Sequence, residues 1–283
     1  MTKLAFTTLA CPDWSVPQVI DAARRYGYDG VELRLVDGEI IDPAMPREER
    51  QRIGRLFADA DLPIVCVDTS IRLASAEDPA ALEPDLRAFL ELANEWGSPL
   101  IRVFGGPWAP ERPQEQVFDG VAEALGRVLP DAERLGVAIT LETHDAFASA
   151  ATVAEVLRRV DHPNFGALWD THHPYRMGES PEQVLDLLGD RVLHFHVKDA
   201  RRRGEGWDLV LLGEGEVPVR ESLAAVLARG YDRWVAVEWE KKWHPEIPEP
   251  EVALPQHAKL LRSWLAEAGG PSQAQDAVGQ SGR

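Results

Sequence analysis

Short β-branched runs alternate with amphipathic stretches from one end of the chain to the other. Leu4–Thr8 predicts a first strand, and Ser15 caps a helix carrying Val19, Ile20 and Ala23 on one side. Gly30–Leu35 predicts a second strand, and the helix near Arg47–Ala60 spaces Ile53, Leu56, Phe57 and Ala60 for one face. Pro63–Asp68 is read as strand three, ahead of a helix with Leu82, Leu86, Phe89, Leu90 and Ala93. Pro99–Phe104 is strand four, and a long helix follows with Val117, Val121, Leu125, Val128, Ala132 and Leu135. Val137–Glu142, Asn164–Asp170, Arg191–Lys198 and Trp234–Trp239 complete the strands. Between them Ser180, Pro181 and Gln183 form a capping box, a longer loop follows Lys198, and a helix over Pro255–Ala268 closes the pattern.

Strict alternation predicts a parallel sheet, and eight strand–helix units in about 265 residues predict a single (β/α)8 barrel over residues 1–268. A doubly wound open sheet is the alternative, weakened because no glycine-rich dinucleotide fingerprint follows the first strand. Gly269–Arg283 is rich in Gly, Ser, Gln and Ala without apolar periodicity, and is expected to be a disordered tail.

Composition narrows the setting. The chain has 283 residues, 45% of them hydrophobic, enough for a large core. No apolar run approaches the roughly 20 residues that span a bilayer. Met1–Ala5 passes straight into the first strand, so the cytoplasm is the expected compartment. Cys11 and Cys66 have no metal or redox spacing, and Cys66 sits in an apolar run that predicts plain core. A net charge of −17, from 47 acidic against 30 basic residues, disfavours nucleic acid as a partner. Membrane contact is not expected, and homo-oligomerisation is left open. Arg201–Arg203, the one dense basic run, reads as a solvated loop or a phosphate contact.

Barrel chemistry gathers at the carboxyl ends of the strands. Those ends supply Glu32, Asp68, Glu142, Asp170, His196 and Glu238. Alternation places Glu142 with Thr140 and Ala138, opposite Leu141, Ile139 and Val137, and Glu238 with Ala236, opposite Val235 and Val237. Smaller residues toward the interior then point Glu142, Asp170, His196 and Glu238 inward at one level. Each carboxylate pair at about 4–5 Å would cost roughly 3–4 kcal/mol at an effective dielectric near 20. A divalent cation removes that repulsion, and three oxygens with one imidazole nitrogen suit Mn²⁺, Mg²⁺ or Co²⁺ better than a thiolate-preferring metal. Glu32 and Arg102 share inward parity and are expected to pair with each other. His194, two residues below His196, is expected to be a hydrogen-bonded interior residue.

The segments Leu141-Glu142-Thr143-His144, Trp169-Asp170-Thr171-His172-His173, His194-Phe195-His196-Val197-Lys198-Asp199 and Val237-Glu238-Trp239-Glu240 resemble, in order, those of the xylose isomerase-like TIM barrels. That group includes sugar phosphate isomerases and epimerases, ketose 3-epimerases, inosose dehydratase and endonuclease IV. The resemblance implies that Glu142, Asp170, His196 and Glu238 are metal ligands, for Mn²⁺ first, with Mg²⁺, Co²⁺ or Zn²⁺ as alternatives. It implies that Glu142 and Glu238 are also the acid/base pair, and that His173 hydrogen-bonds a substrate oxygen. Lys198, His144, Trp108 and Trp239 are further candidates for substrate contact. The implied activity is a metal-dependent sugar isomerase or epimerase acting on a ketose or related keto-polyol through an enediolate. A dehydratase or lyase on a keto-sugar or inosose, using the same site, is the alternative; a non-catalytic sugar-binding barrel is a third reading. Two departures matter. The ketose epimerases carry a further glutamate where this chain has Ala148, and the early strand ends lack the extra histidines of endonuclease IV.

Overall fold

A computed structural model describes residues 2–268. The expected tail at 269–283 lies outside the described residues. Eight parallel strands close into a barrel in chain order. They are β1 (Lys3–Thr7), β2 (Gly30–Leu33), β3 (Ile64–Arg72), β4 (Leu100–Phe104), β5 (Ala138–Glu142), β6 (Phe165–Asp170), β7 (Val192–Val197) and β8 (Trp234–Val237). Closure is made by β1 pairing with both β8 and β2. The flanking helices are α1 (Val16–Tyr26), α2 (Arg47–Asp59), α3 (Glu83–Glu95), α4 (Gln114–Leu135), α5 (Ala150–Arg159), α6 (Pro181–Leu188), α7 (Val219–Ala228) and α8 (Pro250–Ala268). No described helix is long and apolar enough to cross a membrane.

The pattern that predicted the elements also explains their packing. Ile139, Leu141, Val235 and Val237 join the large cluster that includes Val121, Leu125, Leu223 and Leu261 of the helices. Cys66 belongs to a second cluster with Ala5, Val65, Leu100 and Ala236, as its apolar surroundings predicted. The capping box at α6 is present: Gln183 N–H donates to Ser180 Oγ at 3.3 Å, and Ser180 N–H donates to Gln183 Oε1 at 2.8 Å.

Three boundaries differ from expectation. β3 continues to Arg72 rather than ending at Asp68, carrying Ser70 and Arg72 up to the barrel mouth. α8 begins at Pro250, with Pro255 inside it. Both prolines suit a helix start, and sequence alone does not choose between them. The loop after Lys198 is an antiparallel hairpin, Asp199–Arg203 against Gly206–Val210. Asp199 anchors it by accepting N–H bonds from Ala200, Gly213, Gly215 and Val217 at 2.8–3.2 Å. A Cβ on Gly215 would lie 2.0 Å from Asp199 Oδ1, so only glycine lets the turn close on that carboxylate.

Candidate active site

The carboxyl ends of β5, β6 and β7, and Glu238 directly after β8, bring four ligand-type side chains together. One atom from each of Glu142, Asp170, His196 and Glu238 lies within 4.8 Å of the others, and all four residues are buried. They do not share one row of the sheet. Asp170 stands opposite His196, whereas Glu142 stands opposite Leu168, and His196 faces Ala236 rather than Glu238. Barrel shear staggers neighbouring strands, and the four side chains converge from adjacent layers.

The polar atoms of this cluster fit a cation. Glu142 Oε1 and His196 Nδ1 are buried without a hydrogen-bond partner. Glu142 Oε2 and Asp170 Oδ2 make no hydrogen bond either, facing only the charges of Arg102 at 3.3 Å and Lys198 at 3.1 Å. Buried acceptors left open are costly unless something electropositive meets them. The remaining atoms are tied down in ways that aim the open ones. Asp170 Oδ1 accepts the N–H groups of His172 and His173 at 2.7 and 3.3 Å, which leaves Oδ2 facing the cluster. His196 Nε2 is 2.7 Å from Glu32 Oε1, and Nδ1 faces Glu142 Oε1 and Glu238 Oε2 at 3.6 and 3.7 Å. A carboxylate behind the histidine fixes ring and tautomer in the way metal sites use.

That assignment corrects the expected Glu32–Arg102 pair. Glu32 instead bridges His194 and His196, and Arg102 pairs with Asp68 at 3.4 Å and Glu142 at 3.3 Å. Parity placed both residues inside, but the neighbour across a closed barrel depends on its stagger. His194 takes the interior role expected of it, against Glu32.

Two cations hold the carboxylates in check. Lys198, 2% exposed, lies 3.1 Å from Asp170 and 2.5 Å from both Glu238 and Glu240. Its ammonium is thus committed to three carboxylates rather than to the open mouth. Burial pushes Glu142 up, but Arg102 and His196 more than offset this and hold it below the usual carboxylate range. Glu238 is likewise penalised by burial and held well below that range by Lys198 and His196. Burial takes Asp170 the other way, to about 7, with Lys198 opposing and Glu238 and Glu142 reinforcing the rise. The two glutamates are therefore carboxylates at neutral pH.

A histidine wall flanks the cluster. His144 stacks near Phe104 and edge-on to His173, whose ring centroid is 4.4 Å away. His173 is 5% exposed and both its ring nitrogens lack partners. Burial and the charge of Lys198 keep it neutral, well below its ordinary pKa. His144 is raised: burial opposes the proton, and Asp145, 2.9 Å away, with Glu142 outweighs it.

The tryptophans separate. Trp239 is 2% exposed, lies against His257 of α8 and donates its indole N–H to the Pro248 carbonyl at 3.0 Å. Two residues past the end of β8 it turns outward, packing between barrel and helix with its ring against His257. Trp108 is half-buried with its ring edge-on to Phe118 and Phe147. Trp207 reaches from the hairpin to His172 and Tyr175. Of the basic run, Arg201 donates to the Glu214 carbonyl and Arg203 pairs with Asp208 at 3.3 Å, both on the exposed hairpin. The residue missed in the sequence is Arg34. Its signal was available: it follows Glu32 by two positions and so shares the inward face.

The xylose isomerase-like TIM barrel family model matches residues 20–264. The chain belongs to that family. Among curated relatives, it is 28% identical over 257 residues to fructoselysine 3-epimerase of Escherichia coli O157:H7, covering 87% of this chain and 92% of that one. It is 23% identical over 287 residues to inosose dehydratase of Geobacillus kaustophilus, covering 88% and 85%. In three dimensions it matches a crystal structure of the IOLI protein with a zinc atom, with a TM-score of 0.80 over 94% of this chain and 99% of that one, at 17% identity. At that identity the likeness speaks for the fold.

Proposed function

We propose that this protein is a divalent-metal-dependent sugar isomerase or epimerase acting on a ketose or related keto-polyol. The observation that carries the reading is the convergence of one ligand atom each from Glu142, Asp170, His196 and Glu238 within 4.8 Å, with Glu142 Oε1 and His196 Nδ1 left without hydrogen-bond partners. Glu142, Asp170, His196 and Glu238 would hold the metal, with Mn²⁺ first for a three-oxygen, one-nitrogen donor set and Mg²⁺, Co²⁺ or Zn²⁺ as alternatives. A bound divalent ion supplies positive charge that favours the enediolate over the parent ketose. Glu142 and Glu238 would be the acid/base pair. One acts as the carboxylate both are in the free protein and takes the carbon-bound proton. The other must first gain a proton on forming the substrate complex before it can deliver that proton to the opposite face. Neutral His173 has a free ring nitrogen to donate to a substrate oxygen and another to accept from a hydroxyl. The relatedness to fructoselysine 3-epimerase supports the same reading.

A dehydratase on a keto-sugar or inosose is the second reading, favoured by two observations. His144 has its pKa raised beside Asp145, as a donor to a departing hydroxyl would need, and Ala148 stands where ketose epimerases place a further glutamate. Incubating metal-loaded protein with keto-sugars and inososes in D₂O separates them. Deuterium gained with the skeleton intact indicates the isomerase or epimerase, and loss of water indicates the dehydratase. Chelation should abolish either signal and metal return should restore it. Absence of exchange with every substrate, together with no change on Glu142→Gln, would refute both.

A further inference from the structure

Four lysine and arginine side chains are buried among the described residues: Arg34, Arg102, Lys198 and Lys241. Arg102 is paired with Asp68 and Glu142, Lys198 with Asp170, Glu238 and Glu240, and Lys241 with Glu249 at 2.8 Å. Arg34, 6% exposed, has no carboxylate within ion-pair distance among the described residues. Its guanidinium donates to the Asp68 carbonyl at 3.3 Å and to Ser70 Oγ at 2.8 Å. Two neutral acceptors use two of five N–H donors, and Asp68, Glu142 and Glu238 act on the charge only from beyond ion-pair distance. Its backbone is pinned as well, by the N–H bond to Thr8 Oγ1 at 2.9 Å, so the group cannot simply swing out with its strand end.

Placement gives the charge a purpose. Arg34 stands one inward step above Glu32, which orients His196, and beside Asp68, whose carboxylate leads through Arg102 to Glu142. Burial and the like charge of Arg102 lower its pKa to about 10 against the opposing charges of Asp68, Glu142 and Glu238, so it stays cationic at neutral pH. Ser70, its hydroxyl partner, also lines a cavity of about 590 Å³ between the Ile40–Ala44 segment and α3. Arg72, two residues on, lines the same cavity, is exposed and has no carboxylate partner among the described residues. Arg34 does not itself line that cavity, which also carries Asp42 and Asp85, but a largely buried guanidinium with free donors matches the planar, two-pronged acceptors of carboxylate and phosphate.

We propose that Arg34 is a specificity residue that takes an anionic oxygen group, carboxylate or phosphate, on the end of the substrate remote from the reacting carbons. The proposal rests on the keto-sugar reading of the site and narrows it to acidic keto-sugars. It also moves anion recognition away from Lys198, Arg102 and the Arg201–Arg203 hairpin, whose cations are otherwise engaged or exposed.

Binding tests it without turnover. Isothermal titration of the metal-loaded protein with fructose, fructuronate and fructose 6-phosphate compares one ketose frame bearing no anion, a distal carboxylate and a distal phosphate. At least one anionic ligand should bind about tenfold to hundredfold tighter than fructose, the gain of charge-assisted hydrogen bonds. Which of the two does so identifies the anion. Arg34→Met should erase that preference and leave fructose binding unchanged, and Arg34→Lys should restore part of it. Equal binding of all three, binding of none, or a preference that survives Arg34→Met would overturn the proposal. If Arg34→Met does not fold, Arg34→Lys decides: a reduced anion preference supports the proposal and an unchanged one overturns it. Deuterium exchange on the same ligands reports separately on the reaction, so anion-selective binding without exchange would refute the chemistry and leave Arg34's role standing.

Discussion

Replacing Glu32 by Gln should weaken metal binding even though Glu32 touches no metal. The Glu32 carboxylate is fully buried and accepts from Nε2 of both His194 and His196. Without metal, burial opposes a second proton on His196, but Glu32, Glu238 and Glu142 outweigh it and raise its pKa well above the ordinary value. To serve as a ligand the ring keeps its proton on Nε2 against Glu32 and gives up the one on Nδ1, which faces Glu142 and Glu238. Glutamine offers one oxygen and one NH₂ group. The oxygen can serve one ring, but the NH₂ presents a donor to the other, which must move its proton to Nδ1. If that ring is His196 the ligand is lost, and if it is His194 the shared geometry still loosens. Removing such an orienting partner typically costs about 10- to 100-fold in metal affinity, or roughly 1.4–2.7 kcal/mol. Competition titration against a fluorescent chelator measures the metal Kd, and a melting curve checks folding. Glu32→Leu goes further. It strands two buried donors at about 1–3 kcal/mol each, and should lower Tm by roughly 4–24 °C for a chain of this size. A Glu32→Gln protein that binds metal as tightly as wild type would refute the assignment of Glu32 as His196's orienting partner.

Lys198→Met should destabilise the metal-free protein by about 3–5 kcal/mol, because Asp170, Glu238 and Glu240 lose their shared counter-ion. Metal should then raise Tm more in the variant than in wild type, and equal metal-induced shifts in differential scanning calorimetry would contradict this. His257 predicts a pH effect far from the cluster. It is 2% exposed, its Nδ1 lies 2.5 Å from the Ala253 carbonyl and its Nε2 accepts the Leu212 N–H at 3.3 Å, an arrangement for the neutral ring. Burial lowers its pKa to about 4, with the Ala253 carbonyl only partly opposing. The unfolded chain therefore binds this proton first, so its contribution is intact above about pH 6.5 and is lost as pH falls toward 4, up to about 3 kcal/mol. Urea titrations across that window should show a smaller acid loss in His257→Gln, and identical slopes in both proteins would sink the idea.

The order and type of elements were legible from the sequence alone, because a buried parallel strand and an amphipathic helix write different periods into the chain. Period two also told which strand residues face inward, Glu142, Asp170, His196 and Glu238 among them, and the barrel brings those four together. Periodicity could not say who meets whom across the barrel. Glu32 bonding two histidines rather than Arg102, and Lys198 resting among three carboxylates rather than at the open mouth, follow from the stagger of eight closed strands, which no single segment encodes. The same holds for Trp239, whose alternation pointed outward while its place beside Glu238 suggested a sugar platform; packing against α8 decided it. Arg34 shows the limit most sharply. One arginine among many in the sequence, it becomes distinct only when folding buries it and gives every other buried lysine and arginine a carboxylate. Burial and partnership are properties of the closed barrel, and they are what turn a list of charged residues into a site.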